Sequence, residues 1–218
     1  MKIEETKYSG IYESWNDKKR ITFTKSLDGK NFFNELFIDG FIEFNPKRSK
    51  LAAAIIKKIS IIPIKYNSKI LYLGAAHGYT SSHISDIVTD GVIYCMDFAP
   101  RVVRDLYFIC EERKNMIPIL ADANDPDSYK ERIENVDIIY QDIAQRNQIE
   151  ILFKNLRFLK NNGYILLAIK ARSIDVTKRP GEIFNEVEKQ LKEKLKVIDK
   201  KDLDPLERDH CFFVCQKK

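Results

Sequence analysis

Four polar side chains set far apart along the chain, Lys50, Asp142, Lys170 and His210, are of the types that move protons. Each falls at a strand end or helix start that one α/β fold would bring together. Placing two ammonium groups beside a carboxylate and an imidazole costs desolvation, so such a cluster is expected where it performs chemistry. A lysine whose proton affinity is lowered by burial or by a second cation can act as a general base. The set is therefore suited to drawing a proton from a weak nucleophile during a group transfer. Beside it, Leu71-Tyr72-Leu73-Gly74-Ala75-Ala76-His77-Gly78 reads as a strand entering a small-residue turn, where a ligand can approach the backbone.

The elements that must position these groups are legible as alternating strands and helices. Largely apolar runs at 69–73, 92–97, 117–120, 136–141 and 164–171 read as strands covered on both faces. Helical stretches at 100–113 and 145–159 lie between them, and Ser49 is placed to cap a helix that begins at Lys50. A helix at 183–195, a strand at 196–203, a turn around Pro205 and a strand at 211–216 close the chain. Alternation that ends in a hairpin predicts a doubly wound sheet with one antiparallel strand. Residues 1–45 read differently. Arg20 to Lys25 alternates, and the Asp28-Gly29 and Asp39-Gly40 pairs separate aromatic runs at 31–37 and 41–44, the signature of antiparallel hairpins.

Ligands of doubly wound sheets bind beyond the carboxyl ends of the strands. Here Asp97, Asp122 and Asp142 end three of them. Asp97 is placed to accept hydrogen bonds from both hydroxyls of a ribose, and Asp122-Ala123 to flank an adenine. Three carboxylates would repel a pyrophosphate, so an adenosine without phosphates fits better than a nicotinamide dinucleotide. S-adenosylmethionine, with its sulfonium and amino cations, is that kind of molecule.

Among the 218 residues, 44% are hydrophobic and 32% charged, the balance of a soluble globular protein with a real core. No apolar run reaches the length of a bilayer span, and the acids in Met1-Lys2-Ile3-Glu4-Glu5 argue against a signal peptide. A cytoplasmic protein is expected. The net charge of +5 is compatible with a phosphate-bearing partner without requiring one. Cys95, Cys110, Cys211 and Cys215 lie in apolar runs and are read as buried thiols; no metal site is expected. His83 is read as structural.

Several strings resemble the fibrillarin family. They are Phe44-Asn45-Pro46-Lys47-Arg48-Ser49-Lys50-Leu51-Ala52-Ala53-Ala54, the run from Leu71 to Ala76, Pro100-Arg101-Val102-Val103-Arg104-Asp105-Leu106, Asp142-Ile143-Ala144-Gln145, Ile169-Lys170-Ala171 and Glu207-Arg208-Asp209-His210. The resemblance spans nearly the whole chain and, without a Gly/Arg-rich extension, is to the archaeal form. It implies a class I S-adenosylmethionine-dependent methyltransferase domain at 46–218 behind a small β-rich subdomain at 1–45. The implied activity is transfer of a methyl group to ribose 2′-hydroxyls of rRNA and tRNA within a box C/D ribonucleoprotein.

Carried over by position, the resemblance places Gly74, Ala75, Ala76, Gly78, Tyr79 and Thr80 around the cofactor turn. Asp97 and Phe98 would hold and stack the adenosine, Asp122 and Ala123 would flank the base, and Asp142, Ile143, Ala144 and Gln145 would line the methionine side. His77, Tyr79 and Asp97 stand where the family usually has Ser, Thr and Glu. Lys170 is expected to be the base, Lys50 its neighbouring charge, Asp142 the group that orients Lys170, and His210 the group that positions the ribose. Arg48, Arg172, Lys178 and Arg179 are candidate phosphate contacts. Nothing resembles a base-reading module such as an RRM or KH domain. The family's arrangement would then supply target choice: a box C/D guide RNA with its kink-turn-binding protein, and a Nop-domain scaffold protein. Methylation of protein glutamine and a purely structural role are the competing readings.

Overall fold

The computed structural model describes residues 2–16 and 19–218. Its first sheet contains β1 (Glu4–Glu5), β2 (Ile11–Asn16), β3 (Lys19–Lys25), β4 (Phe37–Ile38) and β5 (Phe41–Glu43), all antiparallel in the order β1-β2-β3-β5-β4. Asp39 and Gly40 both adopt positive φ, 50° and 84°, and so form the two-residue turn that joins β4 to β5. The aromatic run at 31–37 was expected to be a strand, but only Phe37 of it is. Asn31 is the cause: its side-chain oxygen accepts from the amides of Phe33 and Glu35, and its nitrogen donates to Glu35 O at 2.6 Å. Those local bonds replace a ladder. Phe32 and Phe33 turn inward against the core instead.

The rest of the chain alternates. After α1 (Lys50–Ile56) come β6 (Lys69–Leu73), α2 (Tyr79–Ile87), β7 (Val92–Asp97), α3 (Pro100–Glu112), β8 (Met116–Leu120) and β9 (Val136–Asp142). Then follow α4 (Gln148–Asn155), β10 (Leu159–Lys170), α5 (Ala171–Ile174), α6 (Pro180–Lys194), β11 (Leu195–Asp202) and β12 (His210–Lys217). The expected helix at 145–159 is shorter than its pattern, because a single 3₁₀ turn at Leu156–Phe158 hands the chain to β10. The sheet order is β11-β12-β10-β9-β6-β7-β8, and β12 alone runs antiparallel to its neighbours.

Strand residues divide between two cores by strict alternation. Ile70, Tyr72, Ile138, Tyr140, Leu166 and Ala168 face α1, α2 and α3, while Leu71, Leu73, Ile139, Ile165 and Leu167 face α4 and α6. A sheet with helices on both faces requires this near-continuous apolar composition. The small sheet joins the first core through Tyr8, Ile11 and Phe44. The boundary drawn at 45/46 falls in the connection between β5 and α1. All four cysteines are free and buried. No helix among the described residues is long and apolar enough to cross a membrane.

A buried polar seam ties α2 to the small sheet. Thr24 Oγ1 donates to Asp86 Oδ2 at 2.7 Å and lies 2.7 Å from His83 Nδ1. With its single proton given to Asp86, Thr24 must accept from His83, so Nδ1 carries the imidazole proton. Arg113 pairs with Asp86 from the end of α3, and Phe44 stacks on His83 at 4.3 Å. His83 is structural, as its surroundings in the sequence suggested. Burial, reinforced by Arg113 and Arg48, lowers its pKa to about 3.

Between that value and the unfolded value near 6.5, the unfolded chain binds a proton that the folded chain refuses. Stability is therefore full above pH ~6.5 and falls as the pH drops through this window, by up to about 1.4 kcal/mol per unit. His83→Asn keeps a hydrogen-bonding group without the titration. Denaturant unfolding at pH 6.5 and 5.0 should show the wild type losing about 1–2 kcal/mol more than this variant.

Candidate active site

The order in which the chain adds strands reverses between the parallel neighbours β6 and β9, and their carboxyl ends frame the site. Gly74, at φ +83°, leaves β6 so close to β9 that a Cβ there would lie 2.3 Å from Asp142 O. Only glycine allows both the dihedral and the approach. The amides of Gly74 and Ala75 both donate to Met96 O at 2.9 Å, which fastens the turn to β7. Asp97, at the end of β7, accepts from Ala76 N through Oδ2 and from Ala99 N through Oδ1, each at 3.1 Å. Its carboxylate thus braces two loops and faces the space between them.

That space is a cleft of about 490 Å³, counting its open mouth, lined by Gly74, Ala76, Met96, Asp97, Phe98, Ala121, Asp122, Ala123, Asp142, Ile143, Ala144 and Gln145. Met96 and Ala121 are additions that sequence reasoning missed; both precede an anticipated carboxylate at a strand end. Asp122 Oδ1 accepts from Asn124 N at 2.8 Å, and Asn124 Nδ2 donates to Gln145 Oε1 at 3.0 Å, so the loops after β8 and β9 are tied together. Three carboxylates and no lysine or arginine line the cleft. It disfavours phosphates and suits a cationic nucleoside, which fits S-adenosylmethionine.

Four anticipated cofactor positions do not line this cleft. Ala75 is buried in the first core. Gly78 caps α2 at φ +90°, and a Cβ there would meet Leu106 and Ile109 of α3 at 3.0 Å, so its smallness serves helix packing. The Tyr79 hydroxyl accepts from Asn45 N at 3.1 Å and its ring meets Phe33 at 5.2 Å. Thr80 Oγ1 donates to Ser49 Oγ at 3.0 Å. Both side chains are thereby committed to the junction with the small sheet and α1. His77 is exposed, 3.7 Å from Asp105.

The proton-moving residues converge at one edge of the cleft, and Asp142 belongs to both. Ser49 caps α1, which sets Lys50 at its first turn. Lys50 Nζ lies 3.1 Å from Asp142 Oδ2. Burial works against the charge of Lys50, yet Asp142, followed by Glu207, outweighs it and holds the pKa above the ordinary lysine value. Asp142 was expected to orient Lys170. It takes Lys50 instead, because α1 brings that ammonium to the end of β9, while Lys170 is exposed at the end of β10. Lys170 is placed through its main chain. The buried Gln148 side chain accepts from Lys170 N at 3.3 Å and donates to Lys170 O at 3.4 Å. Nothing in the sequence marks Gln148 for this task, since the contact joins a helix to a strand end 22 residues away.

His210 is the register partner of Lys170 across β10 and β12. Its Nδ1 lies 2.7 Å from Arg208 O. A carbonyl only accepts, so Nδ1 carries the proton and the neutral ring presents Nε2 as an acceptor. Burial lowers the His210 pKa; Lys50 and Lys170 add to this, while the Arg208 carbonyl and Asp142 oppose it. Of the anticipated phosphate contacts, Arg48 pairs with Glu35 and sits over the Tyr79 ring at 4.2 Å, which holds the small sheet in place. Arg172 meets Asp209 at 3.3 Å, Lys178 meets Glu186 at 2.7 Å, and Arg179 is exposed. No group of His, Cys, Asp and Glu suited to a metal ion occurs among the described residues.

Comparison with known proteins agrees with this geometry along the full chain. The Fibrillarin family model matches residues 3–218. A fibrillarin-like rRNA/tRNA 2′-O-methyltransferase of Methanocaldococcus jannaschii is 48% identical over 223 residues, 98% of this chain and 96% of that protein. The crystal structure of Aeropyrum pernix fibrillarin with natively bound S-adenosyl-L-methionine superposes with a TM-score of 0.89 at 41% identity, covering 99% of this chain and 98% of that one. A fibrillarin solved in complex with Nop5p gives 0.87 at 40% identity, covering 94% and 97%. With sequence, fold and strand-end carboxylates all in agreement over this length, the chain belongs to the fibrillarin family.

Proposed function

We propose that this chain is an S-adenosylmethionine-dependent RNA 2′-O-methyltransferase that acts on rRNA and tRNA within a guide-directed box C/D ribonucleoprotein. The observation that carries the reading is the double role of Asp142, which lines the cleft and also pairs with Lys50. A nucleoside held in the cleft is thereby next to the proton-moving cluster. Gly74 and Ala76 would let its backbone-facing edge approach closely. Asp97 would hold the ribose, Phe98 the adenine face, and Asp122 and Ala123 the adenine edge. When bound, S-adenosylmethionine supplies a methyl group made electrophilic by its sulfonium.

The chain's own residues do the rest. A ribose hydroxyl is a poor nucleophile until its proton has somewhere to go. Lys170 receives the hydroxyl proton, and neutral His210, its register partner across β10 and β12, positions the ribose beside it. Lys50 is fixed by Asp142 at 3.1 Å, which holds its charge at the edge of the cleft. Arg172 and Lys178 would contact phosphate. Their carboxylate partners are exposed, and such surface pairs are worth only about 0–1 kcal/mol, so phosphate can displace them. The site has no base-reading element, so target choice is assigned to a guide RNA and its kink-turn-binding protein. A Nop-domain scaffold would hold the enzyme, as Nop5p is held by a fibrillarin.

Mapping ribose methylation in particles reconstituted with and without this chain tests the reading: RNA methylation that depends on the chain supports it, and label appearing in protein alone rejects it. Lys170→Ala should lower single-turnover methyl transfer about 10²–10⁴-fold while S-adenosylmethionine still binds. Asp97→Ala should have the opposite profile. Loss of charged acceptors worth about 1.5–3 kcal/mol should weaken S-adenosylmethionine binding about 10- to 100-fold by calorimetry.

A further inference from the structure

The connection between β11 and β12 brings another carboxylate to the lysine pair. Leu203 N donates to His210 O at 2.9 Å, Leu206 N to Leu203 O at 2.9 Å, and Glu207 N to Leu203 O at 3.1 Å, so the connection is a closed turn. Two further bonds fix it against the elements that carry the lysines. Lys57, just past α1, donates to Asp204 O, and Ala171 N, directly after Lys170, donates to Asp209 O at 2.9 Å. Glu207 is therefore held between the element of Lys50 and the element of Lys170.

Its side chain is half-buried, yet among the described residues it makes no ion pair and no hydrogen bond. The neighbouring carboxylates are committed: Asp142 to Lys50 and Asp209 to Arg172. Burial pushes the Glu207 carboxyl up; Lys50 pulls it back, Asp142 pushes it further, and Lys170 pulls it back again. Those three side chains are the residues of the proposed reaction. Asp142 pairs with Lys50 alone, and Glu207, which feels Lys50 first and Lys170 after it, is the second carboxylate that faces the two lysines.

We propose that Glu207 is a positioning residue for methyl transfer, the second carboxylate that with Asp142 balances Lys50 and Lys170 and stabilises the ammonium formed on Lys170. The inference rests on the methyltransferase reading above. In the step concerned, the ribose oxygen bonds to the methyl carbon, the carbon–sulfur bond breaks with its electron pair left on sulfur, and the hydroxyl proton passes to neutral Lys170 Nζ. Charge then appears on Lys170 within the field of Glu207. Besides Lys50, Asp142 and Lys170, the charged groups at this turn are Lys57 just past α1, Asp202 at the end of β11, Asp204, Arg208 and Asp209 within the turn, Arg172 from α5 against Asp209, and His210 at the start of β12.

Glu207→Gln leaves two cations facing one carboxylate, so the positive charge that arrives with the transferred proton is less well balanced. Single-turnover ribose methylation should be followed against pH in the reconstituted particle with its guide RNA and saturating S-adenosylmethionine. In Glu207→Gln the acid limb of the profile should move about one pH unit lower, and the plateau should fall about three- to tenfold, because a negative charge that favours the protonated form of the site is gone. Glu207→Asp, which withdraws the carboxylate by one methylene, should give a smaller shift in the same direction. It decides the matter if the glutamine variant does not fold. A limb that stays in place in a folded variant, while the wild type methylates, would overturn this inference alone, since a merely structural residue changes the plateau without moving the limb. A wild-type particle that leaves ribose unmethylated would overturn both this inference and the reading beneath it.

Discussion

Everything at this site depends on how closely β6 and β9 approach at their carboxyl ends. Gly74 passes the main-chain carbonyl of Asp142 at a distance that excludes any side chain. The contact sets the floor of the cleft and fixes where the Asp142 side chain emerges. Because Asp142 both lines the cleft and pairs with Lys50, the cleft and the lysine cluster share one edge. Separating them would lengthen the path of a methyl group that must be transferred in line, and orientation of this kind is worth many orders of magnitude in rate.

Charge is distributed in the molecule by burial. Lys50 keeps its proton despite partial burial because carboxylates outweigh desolvation. His83 and His210 are both pushed toward neutrality by burial, but they end in different states of use. At His83 the hydroxyl of Thr24 takes the Nδ1 proton, and stacking on Phe44 packs the ring into a seam between sheet and helix. At His210 a main-chain carbonyl accepts from Nδ1 and leaves Nε2 as an acceptor, on a ring in register with Lys170. Similar physics produces a histidine locked into packing in one place and one with a ring nitrogen left over in the other.

Asp97 and Asp142 were readable because each closes an apolar run that forms a covered strand; β8, expected to be covered as well, is the sheet edge with Ile117 and Leu120 exposed, and Asp122 lies two residues beyond its end. The turn after β6 was readable in part. Its glycines and alanines announced a close approach, but Gly78 is small for the sake of α3, and Tyr79 and Thr80 belong to the junction with the small sheet. A sequence gives the size of a turn's residues without giving the neighbours that require the size. Asn31 shows the same limit for strands: the aromatic run around it has strand composition, and a side chain competing for local amides defeats it.

By itself, the sequence determined the alternation of elements and the carboxylates at strand ends, since these follow from local pattern, and its family resemblance singled out the four candidate catalytic residues. Only the tertiary structure decided the partnerships among them. It gave Asp142 to Lys50 and tied Lys170 to Gln148 through the main chain. It also fixed the protonated nitrogen of His210 and brought an unpaired Glu207 to the lysines. The reason is distance along the chain. Each partnership joins elements whose relative placement is set by the sheet order and by helix packing, and no spacing of residues encodes how far a side chain must reach once those elements meet.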